Sequence, residues 1–221
     1  MEIEGHEAAF IDGPLGPFLI PASPPETRRI CEGLSKLLWE GGEYEHPDLP
    51  KDGIQRVLDI GAGWGAFTVW ARRRWPGIKQ IDCYDPHALG CKFVAVNDPR
   101  ARVHQVAVTS QPSARISIGQ DWGASSTHFN RGDGVSVPVV HPRDLSPCDM
   151  LKVDAEGVEA EILAEYPTLS STPIVTYEWH TPALREECRA ICARRGGLRC
   201  IVDRDGPWGG GNGVAIWVSA R

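Results

Sequence analysis

Three glycines, Gly61, Gly63 and Gly65, follow the apolar run Val57-Leu58-Asp59-Ile60, and the stretch reads as a strand, a tight turn and the start of a helix. Bare backbone there tolerates positive φ and lets a ligand approach, while the free N–H groups of the new helix attract a phosphate or a carboxylate. Asp85 closes the next apolar run, 24 positions beyond Gly61. A carboxylate so placed accepts hydrogen bonds from ribose hydroxyls. The spacing Gly61-x-Gly63-x-x-Ala66 also satisfies the relaxed dinucleotide fingerprint, so this half alone does not name the ligand.

A second group of candidates lies far along the chain. Met150-Leu151-Lys152-Val153 reads as a strand that runs into Asp154 and Glu156, with a helix over residues 159–165. Ligands of an open parallel sheet bind outside the carboxyl ends of its strands, which puts Asp154 and Glu156 beside the ligand of the glycine turn. Glu159 reads as a helix-start acid stabilised by the dipole. A further strand ends in Glu178-Trp179-His180, where a neutral imidazole would serve as a general base near pH 7. Asp154, Glu178 and His180 also carry the oxygen and nitrogen ligands that suit Mg²⁺ or Mn²⁺.

The elements that must position these groups alternate. Strands are expected at residues 57–60, 80–84, 103–108, 150–153 and 174–179, with helices at 66–74, 88–96, 159–165 and 183–194. Residues 198–202 and 214–218 lack a helix between them and should pair antiparallel. Residues 114–118 and 135–140 alternate like hairpin strands around the polar stretch 119–134, whose Trp122, Ser125, Ser126, His128 and Asn130 would suit a lid over the ligand. Ahead of the alternation stand an arm with Phe10, Leu15, Phe18, Leu19 and Ile20, a hairpin or an irregular segment, and an amphipathic helix over residues 26–39. Tyr44 and Glu45 fall in the connection that follows, where they could cover a ligand or form loop surface, loop surface being the safer reading.

The chain's 221 residues are enough for one well-buried domain, with an arm and helix over about residues 1–45 before the core. A net charge of -6 argues against a nucleic-acid surface, and Arg72-Arg73-Arg74 and Arg194-Arg195 sit where helix C-termini favour cations. No apolar run reaches a membrane span and no signal-peptide pattern opens the chain, so a soluble, cytoplasmic protein is expected, of undefined oligomeric state. The seven cysteines form no CxxC pair. Cys188 and Cys192 share a helical face with Leu184 and Ile191, a packing pattern rather than a metal site.

The segments Val57-Leu58-Asp59-Ile60-Gly61-Ala62-Gly63-Trp64-Gly65, Leu151-Lys152-Val153-Asp154-Ala155-Glu156-Gly157-Val158-Glu159 and Glu178-Trp179-His180, with Tyr84-Asp85-Pro86 between them, resemble the FkbM-type family of S-adenosylmethionine-dependent methyltransferases. The likeness covers about residues 44–180. It implies an α/β, Rossmann-like class I methyltransferase fold, with a seven-stranded, mostly parallel sheet, the last strand antiparallel, and helices on both faces. It also implies a small-molecule acceptor methylated on oxygen, a natural product or a sugar. Carried over by position, Asp59, Gly61, Ala62, Gly63 and Gly65 surround the cofactor's methionine part, Asp85 holds its ribose, Asp154 lies beside it, and Ala107 offers backbone to the adenine side. His180, Asp154 and Glu156 are the catalytic candidates. A nicotinamide-dependent oxidoreductase would share the first half, and a non-catalytic cofactor-binding or interaction subunit would share the whole fold.

Overall fold

The computed structural model describes residues 2–3, 5–13, 16–23, 25–40, 42–118, 134–195, 197–206 and 211–220. The lid expected over residues 119–134, with Trp122, Ser125, Ser126, His128 and Asn130, falls outside them except for Gly134.

The arm is a hairpin. Strands β1 (Glu2–Ile3), β2 (His6–Gly13) and β3 (Gly16–Pro21) form an antiparallel sheet. Helix α1 (Pro25–Glu40) follows, opening on a proline, which a first helical turn tolerates because its N–H has no partner there anyway. The core then alternates as the sequence predicts: β4 (Arg56–Ile60), α2 (Ala66–Arg74), β5 (Gln80–Asp85), α3 (Ala88–Asn97) and β6 (Arg102–Gln105). Three strands interrupt it: β7 (Ala107–Val108), β8 (Arg115–Ile118) and β9 (Val135–Val140). The chain ends with β10 (Met150–Val153), α4 (Glu159–Glu165), β11 (Ile174–Trp179), α5 (Pro182–Arg194), β12 (Leu198–Asp205) and β13 (Gly213–Ser219).

The main sheet has seven strands in the order β12-β13-β11-β10-β4-β5-β6. All pairings from β11 across to β6 are parallel, and β13 runs antiparallel to both β11 and β12. Six strands therefore point one way and the last in sequence is reversed, as expected. Chain order reverses between β4 and β10, and such a switch point opens a crevice at the strand tips.

The central strands are apolar on both faces because helices cover both. Val57, Ile81, Cys83 and Met150 pack with Phe67, Trp70 and Trp75 on one side. Leu58, Ile60, Leu151 and Val153 pack with Ile162, Leu163, Cys188 and Cys192 on the other, so the two α5 cysteines are core residues. One expectation changes: residues 103–108 are not a single strand. The chain turns at Val106, whose N–H donates to the His104 carbonyl, and β7 leaves the main sheet to pair with β9. The hairpin sheet is tied to α3 by Asn97, which exchanges hydrogen bonds with the Leu19 N–H and carbonyl and donates to the Trp64 carbonyl. No helix among the described residues is long and apolar enough to cross a membrane.

Candidate active site

At the switch point β4 ends in Gly61 (φ 75), whose N–H donates to the Tyr84 carbonyl at 2.8 Å. A Cβ there would lie 1.7 Å from the Asp154 carbonyl oxygen, so only glycine lets the tips of β4 and β10 meet. Asp85 is almost fully buried. Its Oδ2 accepts the Gly63 N–H and its Oδ1 the His87 N–H, both at 2.8 Å, so one carboxylate fixes the glycine turn and the start of α3. Burial outweighs those bonds and raises its pKa to about 7. Gly90 brings α3 this close, since a Cβ would sit 2.7 Å from the Gly63 carbonyl oxygen.

Lys152 is the cation of the site. It stands in the middle of the buried strand β10 and is 3% exposed. Its Nζ donates to the Gly61 carbonyl at 2.6 Å and lies 3.3 Å from both Asp154 Oδ2 and Asp59 Oδ1. Burial lowers a lysine pKa, yet the charges of Asp154, Asp59 and Glu178 reverse the effect and hold the ammonium protonated. Asp59 is fully buried and accepts the Thr68 hydroxyl at 2.7 Å. It does not line the cavity, and neither does Gly65, which packs on Val94. Both were expected around the cofactor; both stand behind the wall, Asp59 as the anchor of Lys152.

His180 lies among three carboxylates. Its Nε2 is 3.6 Å from Asp154 and 3.4 Å from Glu156, and its Nδ1 is 3.2 Å from Glu159. Burial acts to lower its pKa, but the Glu159 contact and the three charges raise it to about 10. The Nδ1 contact falls short of hydrogen-bond alignment, so the close charges are the firmer cause. These charges favour the imidazolium over the neutral base the sequence suggested. Glu159 is fully buried and accepts the Ala155 and Gly157 N–H groups, folding the loop before α4 as a helix-start acid would. Glu156 in that loop has φ 55, the one positive value among the described non-glycine residues. Burial and the Asp154 charge raise its pKa to about 7.

Glu178 accepts the Tyr44 hydroxyl at 2.8 Å, and burial with the Asp154 and Glu43 charges pushes it up to about 8. Tyr44 is 2% exposed and packs on Phe67 and Trp70, so it is core, not loop surface. Asp154, Glu178 and His180 each offer a donor atom within 4.8 Å of the others. Lys152 takes one Asp154 oxygen, Tyr44 takes one Glu178 oxygen, and the neighbouring carboxylates favour a proton on His180. The Lys152 ammonium and a proton on His180 compete with a divalent ion for this set.

These groups line one cavity of about 500 Å³. Gly61, Ala62, Gly63, Asp85 and Ala107 form one side; Asp154, Glu156, Glu178 and His180 form another; α1 closes it with an apolar face. Sequence reasoning missed Lys152, Glu43 and that face, and preferred loop surface for Tyr44 over the ligand cover it also considered. Only Lys152 left a signal, a charge inside an apolar run whose strand is buried on both sides.

No family model and no curated protein matches the sequence. Among solved structures, methyltransferase FkbM from Methylobacillus flagellatus KT aligns with a TM-score of 0.57 at 14% identity, over 83% of this chain and 47% of that one. The chain thus spans about half of that structure's length. Precorrin-6y C5,15-methyltransferase from Geobacter metallireducens GS-15 aligns at 0.47 and 12% identity over 88% of each chain. The methyltransferase SibL aligns at 0.49 and 14% identity over 91% of this chain and 60% of its own. At such identities the likeness is one of fold: the chain has the Rossmann-like α/β architecture found in S-adenosylmethionine-dependent methyltransferases.

Proposed function

We propose that the chain is an S-adenosylmethionine-dependent methyltransferase of FkbM type that methylates a hydroxyl oxygen of a small molecule, a natural product or a sugar. The observation that carries this reading is the meeting of the Gly61–Gly63 turn and Asp85 with Asp154, Glu156 and His180 across one cavity. The residues present fit the cofactor. Asp85 keeps lone pairs beyond its two backbone bonds for a ribose diol, the glycines leave backbone bare, and Ala107 lines the adenine side.

When bound, the cofactor supplies a sulfonium methyl: the C–S electron pair stays on sulfur, a C–O bond forms, and the hydroxyl proton must leave. Glu156 takes that proton, since its carboxylate is held near neutrality, where a base is both available and strong enough. His180, as imidazolium, fixes Glu156 and Asp154 by charge. Lys152 holds Asp154 against the glycine turn. The apolar face of α1 keeps water from the reacting centre.

Calorimetry should show S-adenosylhomocysteine binding where nicotinamide dinucleotides do not. Asp85→Ala should weaken it roughly ten- to hundred-fold, the worth of charge-assisted bonds to a diol. Wild-type affinity in that variant, or preference for a nicotinamide cofactor, would overturn the reading.

A further inference from the structure

The cavity has one wall to which methyl transfer assigns nothing beyond the exclusion of water. Helix α1 presents Ile30, Leu34 and Leu37 to it at helical spacing, across about 10 Å of helix. Leu34 and Leu37 are only half-buried and Ile30 is 38% exposed, so they form the wall and rim of an open space and not a packed core.

The same cavity is lined by Glu43 and Glu178. The Glu43 carboxylate has no hydrogen bond or ion pair among the described residues, while Glu178 spends one oxygen on Tyr44. The nearby Arg204 turns its guanidinium to the Gly42 and Glu43 carbonyls instead. Glu43, Asp154, Glu156 and Glu178 thus face two cations, Lys152 and His180. Each of those is also claimed by a carboxylate behind the wall, Asp59 or Glu159. The cofactor's amino-acid head carries one charge of each sign, and its sulfonium offsets a single negative charge. A surplus of carboxyl groups over cations remains, opposite an apolar wall; burial favours a proton on Glu43, Glu156 and Glu178, and an incoming cation would release it.

Building on the methyltransferase reading, we propose that the acceptor is a cationic amphiphile, an amino alcohol whose ammonium sits between Glu43 and Glu178 and whose apolar body lies along Ile30, Leu34 and Leu37. An ammonium suits these carboxylates because it offers several donors to oxygens that lack them, and a hydrocarbon or aromatic body suits the side chains of Ile30, Leu34 and Leu37. A sugar with hydroxyls alone would leave the acidic side without a countercharge and the leucines in contact with polar groups.

The test uses the full chain saturated with S-adenosylhomocysteine, with phenylalaninol and N-acetylphenylalaninol as probes. The amine should bind about ten-fold tighter or better than its neutral N-acetyl form. Glu43→Gln should erase most of that ratio, whereas Leu34→Asn should weaken both probes and keep the ratio. A wild-type ratio near one, no binding of either probe, or a ratio that survives in a folded Glu43→Gln variant would overturn the proposal. Titrating S-adenosylhomocysteine first, and the probes also without it, separates this failure from failure of the methyltransferase reading.

Discussion

Glu156 is held in the left-handed region by the bonds that Glu159 makes to the residues on either side of it. Such a conformation costs a non-glycine residue on the order of 1 kcal/mol or more, so the carboxylate is aimed at the cavity against local preference. With a pKa raised to about 7, it gains its charge as the pH climbs through neutrality, and the transfer rate should rise over the same range. Glu156→Gln should cut turnover about 100-fold and flatten that rise while leaving S-adenosylhomocysteine affinity unchanged. An unaltered pH–rate profile in the variant would move the base elsewhere. Asp85, Asp154, Glu156 and His180 were legible in the sequence because strand tips can be located from the alternation of strands and helices. The charge on His180 was not, since it depends on the tip of β11 lying against three carboxylates of the segment that runs from β10 into α4. Glu43 and Tyr44 were hidden for a similar reason: no periodicity records that the segment after α1 folds back across those tips.

Among the elements, α1 and the core strands and helices follow from apolar spacing, proline and glycine punctuation, and the lack of a helix between β12 and β13. The division of β6 from β7 does not, because Val103 to Val108 is continuous in pattern and the break comes from pairing with β9, a partner about 30 positions on. Docking of the hairpin sheet is likewise silent in sequence: beside the packing of Ala8 and Leu19 on Phe93, its polar tie to α3 is the Asn97 amide. Asn97→Ala should leave the Leu19 N–H and carbonyl without their α3 partner, at a cost of about 1–3 kcal/mol. Hydrogen exchange should show protection lost in β2 and β3 first, with the central strands β4 and β10 unchanged. Equal loss in β4 and β10 would mean that the hairpin and the core unfold as one unit.

For the whole molecule, the site sets the pH dependence of stability. Burial raises Asp85 and Glu156 to about 7 and Glu178 to about 8, and Glu43 also lies above its ordinary value. Each folded carboxyl holds its proton at a pH where the unfolded one has released it. The contribution is therefore full below the unfolded pKa and fades as pH rises through about 7 to 8. His180, raised from 6.5 to about 10, has the same sign, present below 6.5 and fading towards 10. The thermal midpoint of the ligand-free protein should fall by several degrees between about pH 6 and about pH 9, and Glu178→Gln should reduce the slope. Scanning calorimetry showing a flat or rising midpoint would mean that the carboxylates are relieved by groups outside this cluster.

The apolar wall comes from α1, before the first core strand, whereas the glycine turn and the acidic tips all come from residues 61–180. Two stretches of one chain thus carry two separate specifications, and they meet at the cavity and along α2, where Trp39 donates to the Ala66 carbonyl and Trp64 to the Ser35 hydroxyl. Mutations in α1 can drift, or be recombined as a block, while the later stretch stays constant. A lineage built on this plan would diversify at its front end and keep its interior, as interchangeable tool heads share one handle.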